Sequence, residues 1–131
     1  MHLVELWDMK QSIQRGSRKS KIVEKPWGNE EIWADCRSYL GKIITINPGC
    51  RLSRQYHVHK EETIRVLHGL LLLEVGEGEQ IETSRMHQGE IFHVEPGTIH
   101  RFCAENEIVV LLEVSTYYPD DVVRIDDDYK R

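Results

Sequence analysis

No apolar run in the chain exceeds the five residues 108–112, which Glu113 closes, whereas a membrane-crossing helix needs ~20 in succession. A transmembrane helix is therefore not expected. Residues 1–10 interrupt their apolar side chains with Glu5 and Asp8 and lack the charged-then-apolar layout of an export signal, so a cytoplasmic setting is expected. Cysteine is scarce. Cys36, Cys50 and Cys103 are an odd set without a CxxC pair, which suggests neither a disulfide framework nor a thiolate zinc site and predicts reduced thiols. Positive charge is in deficit, with a formal net charge of -5, while duplex nucleic acid is held by clustered Lys and Arg. The local exception, Lys10, Arg15, Arg18, Lys19 and Lys21, has no interleaved aromatics and reads as a solvated tail rather than a stacking surface. Neither a nucleic-acid nor a membrane partner is expected. From residue 22 onward no segment sustains a 3.6-residue apolar period, and no repeat is evident.

What remains is enough for one core. The 131 residues are 40% apolar and 30% charged, ordinary for a single globular domain. Residues 1–21 read as a partly mobile N-terminal segment, in which Leu3, Leu6 and Trp7 line one side of a short helix or of a stretch lying on the domain. Residues 22–131 read as the domain itself. There, short apolar runs at 31–34, 39–46, 55–57, 63–67, 70–75, 81–83, 91–94 and 108–115 alternate with turn signals. Those signals are Asn47-Pro48-Gly49, His68-Gly69, Gly76 to Gly78, Gln88-Gly89 and Pro96-Gly97. So many short strands predict an all-β barrel or jelly roll, because closure hides the unpaired strand edges.

Seven histidines invite a metal reading, but spacing matters more than number. Gln55, His57 and His59 alternate with Tyr56 and Val58, so an extended segment would send them to one face. Glu62 follows closely, and His100 stands behind the Pro96-Gly97 turn. Imidazole, carboxylate and amide oxygen form a borderline-to-hard donor set suited to one divalent ion of zinc, manganese, iron, nickel or cobalt. So few protein ligands leave coordination positions open, as catalytic sites require. His2, His68, His87 and His93 have no ligand-like neighbours and read as bystanders.

The spacing of Gly49, Gln55, His57, Glu62 and Gly69 resembles the first cupin motif, and Gly89 through Pro96-Gly97-Thr98 to His100 resembles the second. In this register Gln55 stands where the first histidine ligand is usual; a rival register would use His57 and His59, with His59 as an alternative ligand. Further segments resemble the type II phosphomannose isomerase domain. They are Glu24-Lys25-Pro26-Trp27-Gly28, Leu52-Ser53-Arg54-Gln55-Tyr56-His57, Pro96-Gly97-Thr98-Ile99-His100-Arg101 and Asp120-Asp121-Val122-Val123-Arg124-Ile125, running on to Tyr129-Lys130-Arg131. The family tends to have three histidines and an arginine where this chain has His57-Val58-His59-Lys60, and an aromatic where it has Ile64. A glycine near the family's end is Lys130 here, and an asparagine expected after the second-motif histidine is Ala104 or has moved to Asn106.

The resemblance implies a cupin-type double-stranded β-helix, a homodimer, and metal-dependent interconversion of mannose 6-phosphate and fructose 6-phosphate. The expected metal ligands are Gln55, His57, Glu62 and His100. A positioned base must also carry a proton between neighbouring carbons; Glu113, Lys42 and His59 are the candidates, and sequence does not choose among them. The small phosphorylated sugar calls for cations, with Arg51, Arg54, Arg101 and Arg124 as candidates. Arg124 reads equally as a substrate clamp of the catalytic site or as a salt-bridge partner of Asp121 or Asp126. The run Asp126 to Asp128 reads as a solvated turn, and Trp27 as a packing residue at the barrel end. Two other readings stand beside the isomerase: an accessory cupin that binds a sugar or sugar nucleotide without turnover, and a different metal-dependent cupin enzyme.

Overall fold

The computed structural model describes residues 19–131 and, before them, Leu3 alone. The short helix or surface-lying stretch read over residues 1–9, Leu3 apart, and the basic tail as far as Arg18 thus lie outside the described residues. Along the rest, the strands are β1 Lys21–Lys25, β2 Gly28–Asp35, β3 Tyr39–Ile46, β4 Arg54–Tyr56, β5 Glu62–His68, β6 Leu71–Val75, β7 Glu82–Met86, β8 Ile91–Val94, β9 His100–Ala104, β10 Val109–Thr116 and β11 Val123–Asp126. They form two antiparallel sheets, ordered β1-β2-β3-β10-β5-β8 and β11-β4-β9-β6-β7. This is the expected all-β jelly-roll architecture. No described helix is long and apolar enough to cross a membrane.

The core lies between the sheets. Ile44, Ile46, Ile64, Val66, Val94, Val109 and Leu111 from the first meet Leu71, Leu73, Met86, Phe102 and Ala104 from the second. Burying each large aliphatic side chain favours folding by roughly 1.5–3 kcal/mol, and the strict alternation on β10 sets which of its residues contribute. Along the inner face of β10, however, apolar Val109 and Leu111 give way to Glu113 and Ser115, all four buried. Register places Glu113 opposite Lys42 of β3 and Ile64 of β5, and Ser115 opposite Glu62. In the other sheet Gln55 of β4 lies opposite His100 of β9. The interior is therefore greasy at one end and polar at the other.

Three strands lie outside the predicted runs. β9 carries His100 and Arg101 and shows no alternation, because all five of its residues are buried. Phe102 and Ala104 face the core, while Arg101 is covered by Leu52, Asp126 and Asp128. β1 and β11 are sheet-edge strands, and β11 is exposed at every position, so neither presents a clear apolar pattern.

Trp27 is among the largest fully buried side chains and belongs to the core, as its packing role predicts. Gly28 lets β2 close onto β3: its φ is +153°, and a Cβ there would stand 1.9 Å from the Thr45 carbonyl oxygen. Gly28→Ala is therefore expected to destabilise the domain by at least ~1 kcal/mol, read as a lower urea midpoint with an unchanged slope.

Candidate metal centre and cavity

β4 ends at Tyr56, and the chain turns through 57–61 before entering β5. This turn brings His57 back toward Glu62, while β9 supplies His100 from the facing sheet. One ligand atom from each of His57, Glu62 and His100 fits within a group whose members all lie within 4.8 Å of one another. His57 Nε2 is 3.8 Å from Glu62 Oε2, and His100 Nε2 is 3.4 Å from Glu62 Oε1. The three side chains are 1–3% exposed.

The imidazole rings are held from behind. His57 Nδ1 lies 2.6 Å from the Asp121 carbonyl oxygen, and His100 Nδ1 lies 2.8 Å from that of Thr98. A carbonyl oxygen only accepts, so each Nδ1 carries the proton and each Nε2 presents a bare lone pair. Both Nε2 atoms are buried without a hydrogen-bond partner, an arrangement that costs free energy unless something electrophilic occupies the space. Two such nitrogens flanking a carboxylate are the donor chemistry of a divalent metal, so these residues fit a metal ion.

Charge in the pocket is sorted. Burial opposes ionisation of Glu62, but its polar surroundings, the Lys60 ammonium among them, outweigh it and hold the carboxyl well below its ordinary range. Lys60 Nζ lies 3.0 Å from Glu62 Oε2 and 3.5 Å from Glu113 Oε2. Burial opposes the Lys60 charge as well, and Glu113 and Glu62 overcome it. For Glu113, burial first and the neighbouring Glu62 charge second push the pKa up to about 8. Glu62 is thus the ionised member of the pair and Glu113 the protonated one. His57 is kept neutral, chiefly by burial.

These groups open into a cavity of about 120 Å³, whose lining includes Gln55, Lys42, Glu113 and Arg124. That is room for about four waters. Gln55 lines the same cavity, and its Oε1 accepts a hydrogen bond from Ser53 Oγ at 2.7 Å. His59 lies outside the ligand group, exposed, with its ring 5.6 Å from that of cavity-lining Tyr118. Lys42 reaches the cavity paired to Glu30 at 3.2 Å. Arg124 also reaches it, and its neighbouring acids are engaged elsewhere: Asp126 with Arg101, Asp121 with backbone N–H groups.

The other arginines expected at the substrate are placed differently. Arg51 forks onto Asp128, Arg54 binds Glu74 and the Gly76 carbonyl, and buried Arg101 binds Leu52 O, Asp126 and Asp128. None of the three lines the cavity. A planar guanidinium matches a carboxylate as well as a phosphate, and here nearby acids take that role. The 126–128 run is accordingly a clasp for Arg51, Arg101 and Arg131 rather than a solvated turn.

Lys25, Lys60, Asp121 and Arg131 belong to the cavity wall but were not singled out as site residues by sequence. Lys60 follows a turn that extended-strand reasoning does not foresee. Asp121 lies in the family-like tail, but its partners are backbone groups, which leave no side-chain signature. The Asp121 carboxyl is held down at about 2 by three N–H donors, that of His59 foremost.

Residues 12–127 match the family described as "Mannose-6-phosphate isomerase C-terminal". The mannose-1-phosphate guanylyltransferase RfbM of Salmonella typhimurium is 28% identical over 90% of this chain, which spans 25% of that protein. Among solved structures, the capsular polysaccharide assembling protein CapF of Staphylococcus aureus superposes with a TM-score of 0.73 at 13% identity, over 84% of this chain and 35% of that one. A sugar phosphate isomerase of the cupin superfamily from Silicibacter pomeroyi gives 0.62 at 19% identity, over 78% and 71%. With its cupin jelly roll and its match over nearly the whole sequence, the chain belongs to the mannose-6-phosphate isomerase C-terminal family.

Proposed function

We propose that this protein is a metal-dependent sugar-phosphate isomerase that interconverts mannose 6-phosphate and fructose 6-phosphate. The observation that carries the reading is the grouping of two bare imidazole nitrogens, those of His57 and His100, with an ionised Glu62, at a cavity that His57 and Glu62 line together with a protonatable Glu113. Aldose-to-ketose conversion moves one proton from C2 to C1 and one from the C2 hydroxyl to the C1 oxygen. A divalent ion held by His57, Glu62 and His100, with Gln55 beside them, supplies the Lewis acidity that polarises the carbonyl.

The chain's own residues do the rest. Glu113 is the proton carrier between the carbons, because a buried carboxyl that titrates at about 8 can both take and return a proton near neutral pH. The Lys60 ammonium, 3.5 Å from Glu113 Oε2, favours the charged form at the moment the proton leaves. Trp27, Ile44, Leu52 and Phe102 close part of the wall with apolar surface, which limits water around the reacting carbons. The phosphate stays at the cations: Lys25 and Arg124 line the cavity from opposite edge strands of the two sheets.

The test is to measure bound metal in the purified protein and then follow mannose 6-phosphate to fructose 6-phosphate in a coupled assay. Metal-dependent turnover is the expected result. Sugar binding without turnover would instead favour an accessory role. Metal-dependent oxygen uptake would point to another cupin chemistry. Lys25→Ala and Arg124→Ala are each expected to raise KM roughly 10- to 100-fold, the scale of a charged hydrogen bond, with kcat little changed. Unchanged KM in both variants would remove them from the phosphate site.

A further inference from the structure

We infer that Asp121 is a positioning residue for the metal centre, one that holds the 57–60 turn and sets the tautomer of His57. Its carboxylate accepts three successive backbone N–H groups: Val58 N at 3.0 Å to Oδ1, and His59 N at 2.7 Å and Lys60 N at 2.9 Å to Oδ2. Its carbonyl oxygen meanwhile accepts the Nδ1 proton of His57 at 2.6 Å. One residue thus fastens the ligand's ring and the backbone leading away from it.

Packing does not do this work. Val58 is 52% exposed and His59 is also exposed, so the tip of the turn buries little apolar surface. The remaining backbone tie is His57 O, which accepts from Gly97 N at 2.7 Å. Convergent N–H groups form a concave anion site, and here the anion is the chain's own carboxylate, supplied 61 to 63 residues away in sequence. Without it, the turn keeps its Gly97 tie and the Lys60 ion pairs but loses the three ties at its tip, so the carbonyl drifts from Nδ1 and the His57 proton is free to move to Nε2. A protonated Nε2 is no ligand. By contrast, His100 takes its tautomer from Thr98, two residues away, and is independent of Asp121.

The inference rests on the metal reading of this pocket, and the experiment separates the two. Zinc or cobalt is titrated into the full chain and into Asp121→Ala and Asp121→Asn. In parallel, the histidine ring nitrogens of the metal-free proteins are observed by long-range ¹H–¹⁵N NMR. In the metal-free wild type, His57 and His100 should both show a protonated Nδ1 and a bare Nε2. Asp121→Ala should bind metal 10- to 100-fold more weakly, the usual cost of losing a group that orients a ligand. Its His57 signals should average between tautomers while those of His100 stay as in the wild type. Asp121→Asn keeps one acceptor oxygen and should fall between, and it carries the test if the alanine variant does not fold. An unchanged His57 tautomer with affinity within twofold of the wild type, in a folded variant, overturns the inference. If the wild type takes up no metal yet the His57 signals shift as described, the metal reading fails and the positioning role stands.

Discussion

Alanine at His100 is expected to cost the protein its metal, with affinity falling by more than the roughly 100-fold that loss of an orienting neighbour brings. The reason is geometric. His100 comes from β9 while Glu62 comes from β5, so as a ligand it would tie the two sheets through an ion. His57→Ala should behave alike, and turnover should vanish in both variants. Thermal melts give an independent reading: metal at 100 times its Kd should stabilise the wild type by about 2.7 kcal/mol, several degrees in Tm. Such stabilisation has a local cause in the two buried, unpartnered Nε2 atoms. No metal-induced shift should appear in His100→Ala. A His100→Ala protein that kept the wild-type shift would place the ion elsewhere.

The sequence was most legible where one face of a strand is wet. β3 was expected at 39–46 and β8 at 91–94, and both are found at those bounds, since short apolar runs between turn signals suffice to define them. β9 and β11 were missed for opposite reasons, one buried on both sides and the other exposed throughout. The grouping of His57, Glu62 and His100 was implied by the resemblance to the cupin motifs, whose register, rather than spacing alone, favours His57 over His59. The geometry around His57 could not. Extended-strand reasoning sends Gln55, His57 and His59 to one face, whereas β4 stops at Tyr56 and the turn leaves His59 exposed. Arginine partners were equally out of reach, because Arg51 with Asp128 is a pairing across 77 residues. Glu113 alternates with Val109 and Leu111, which left an inward and a solvated side chain equally open; its protonation depends first on burial and then on Glu62 and Lys60 arriving from β5 and the turn before it.

Glutamine at Glu113 should separate stability from chemistry. The carboxyl titrates at about 8 in the fold against an ordinary 4.5, first through burial and second through the Glu62 charge. Since the folded value is the higher, the group's contribution to stability is whole below pH 4.5 and is lost as pH rises through 8. At ~1.4 kcal/mol per unit, the loss is of the order of a few kcal/mol. Glutamine has the shape of the protonated acid and nothing to ionise, so metal-free Glu113→Gln should escape that decline. Glu62 and His57 are present in both proteins, so the difference between their pH–stability curves reports Glu113 together with its coupling to Glu62. Lys60 retains Glu62 at 3.0 Å, so the substitution leaves no buried ammonium without a partner. Metal affinity should persist while turnover falls by roughly 10² to 10⁴, the range for a general base. Undiminished turnover would move the proton to Lys42 or His59. Parallel stability curves for the two proteins would mean that Glu113 is already ionised at neutral pH, and that the Lys60 ammonium, rather than burial, governs its charge.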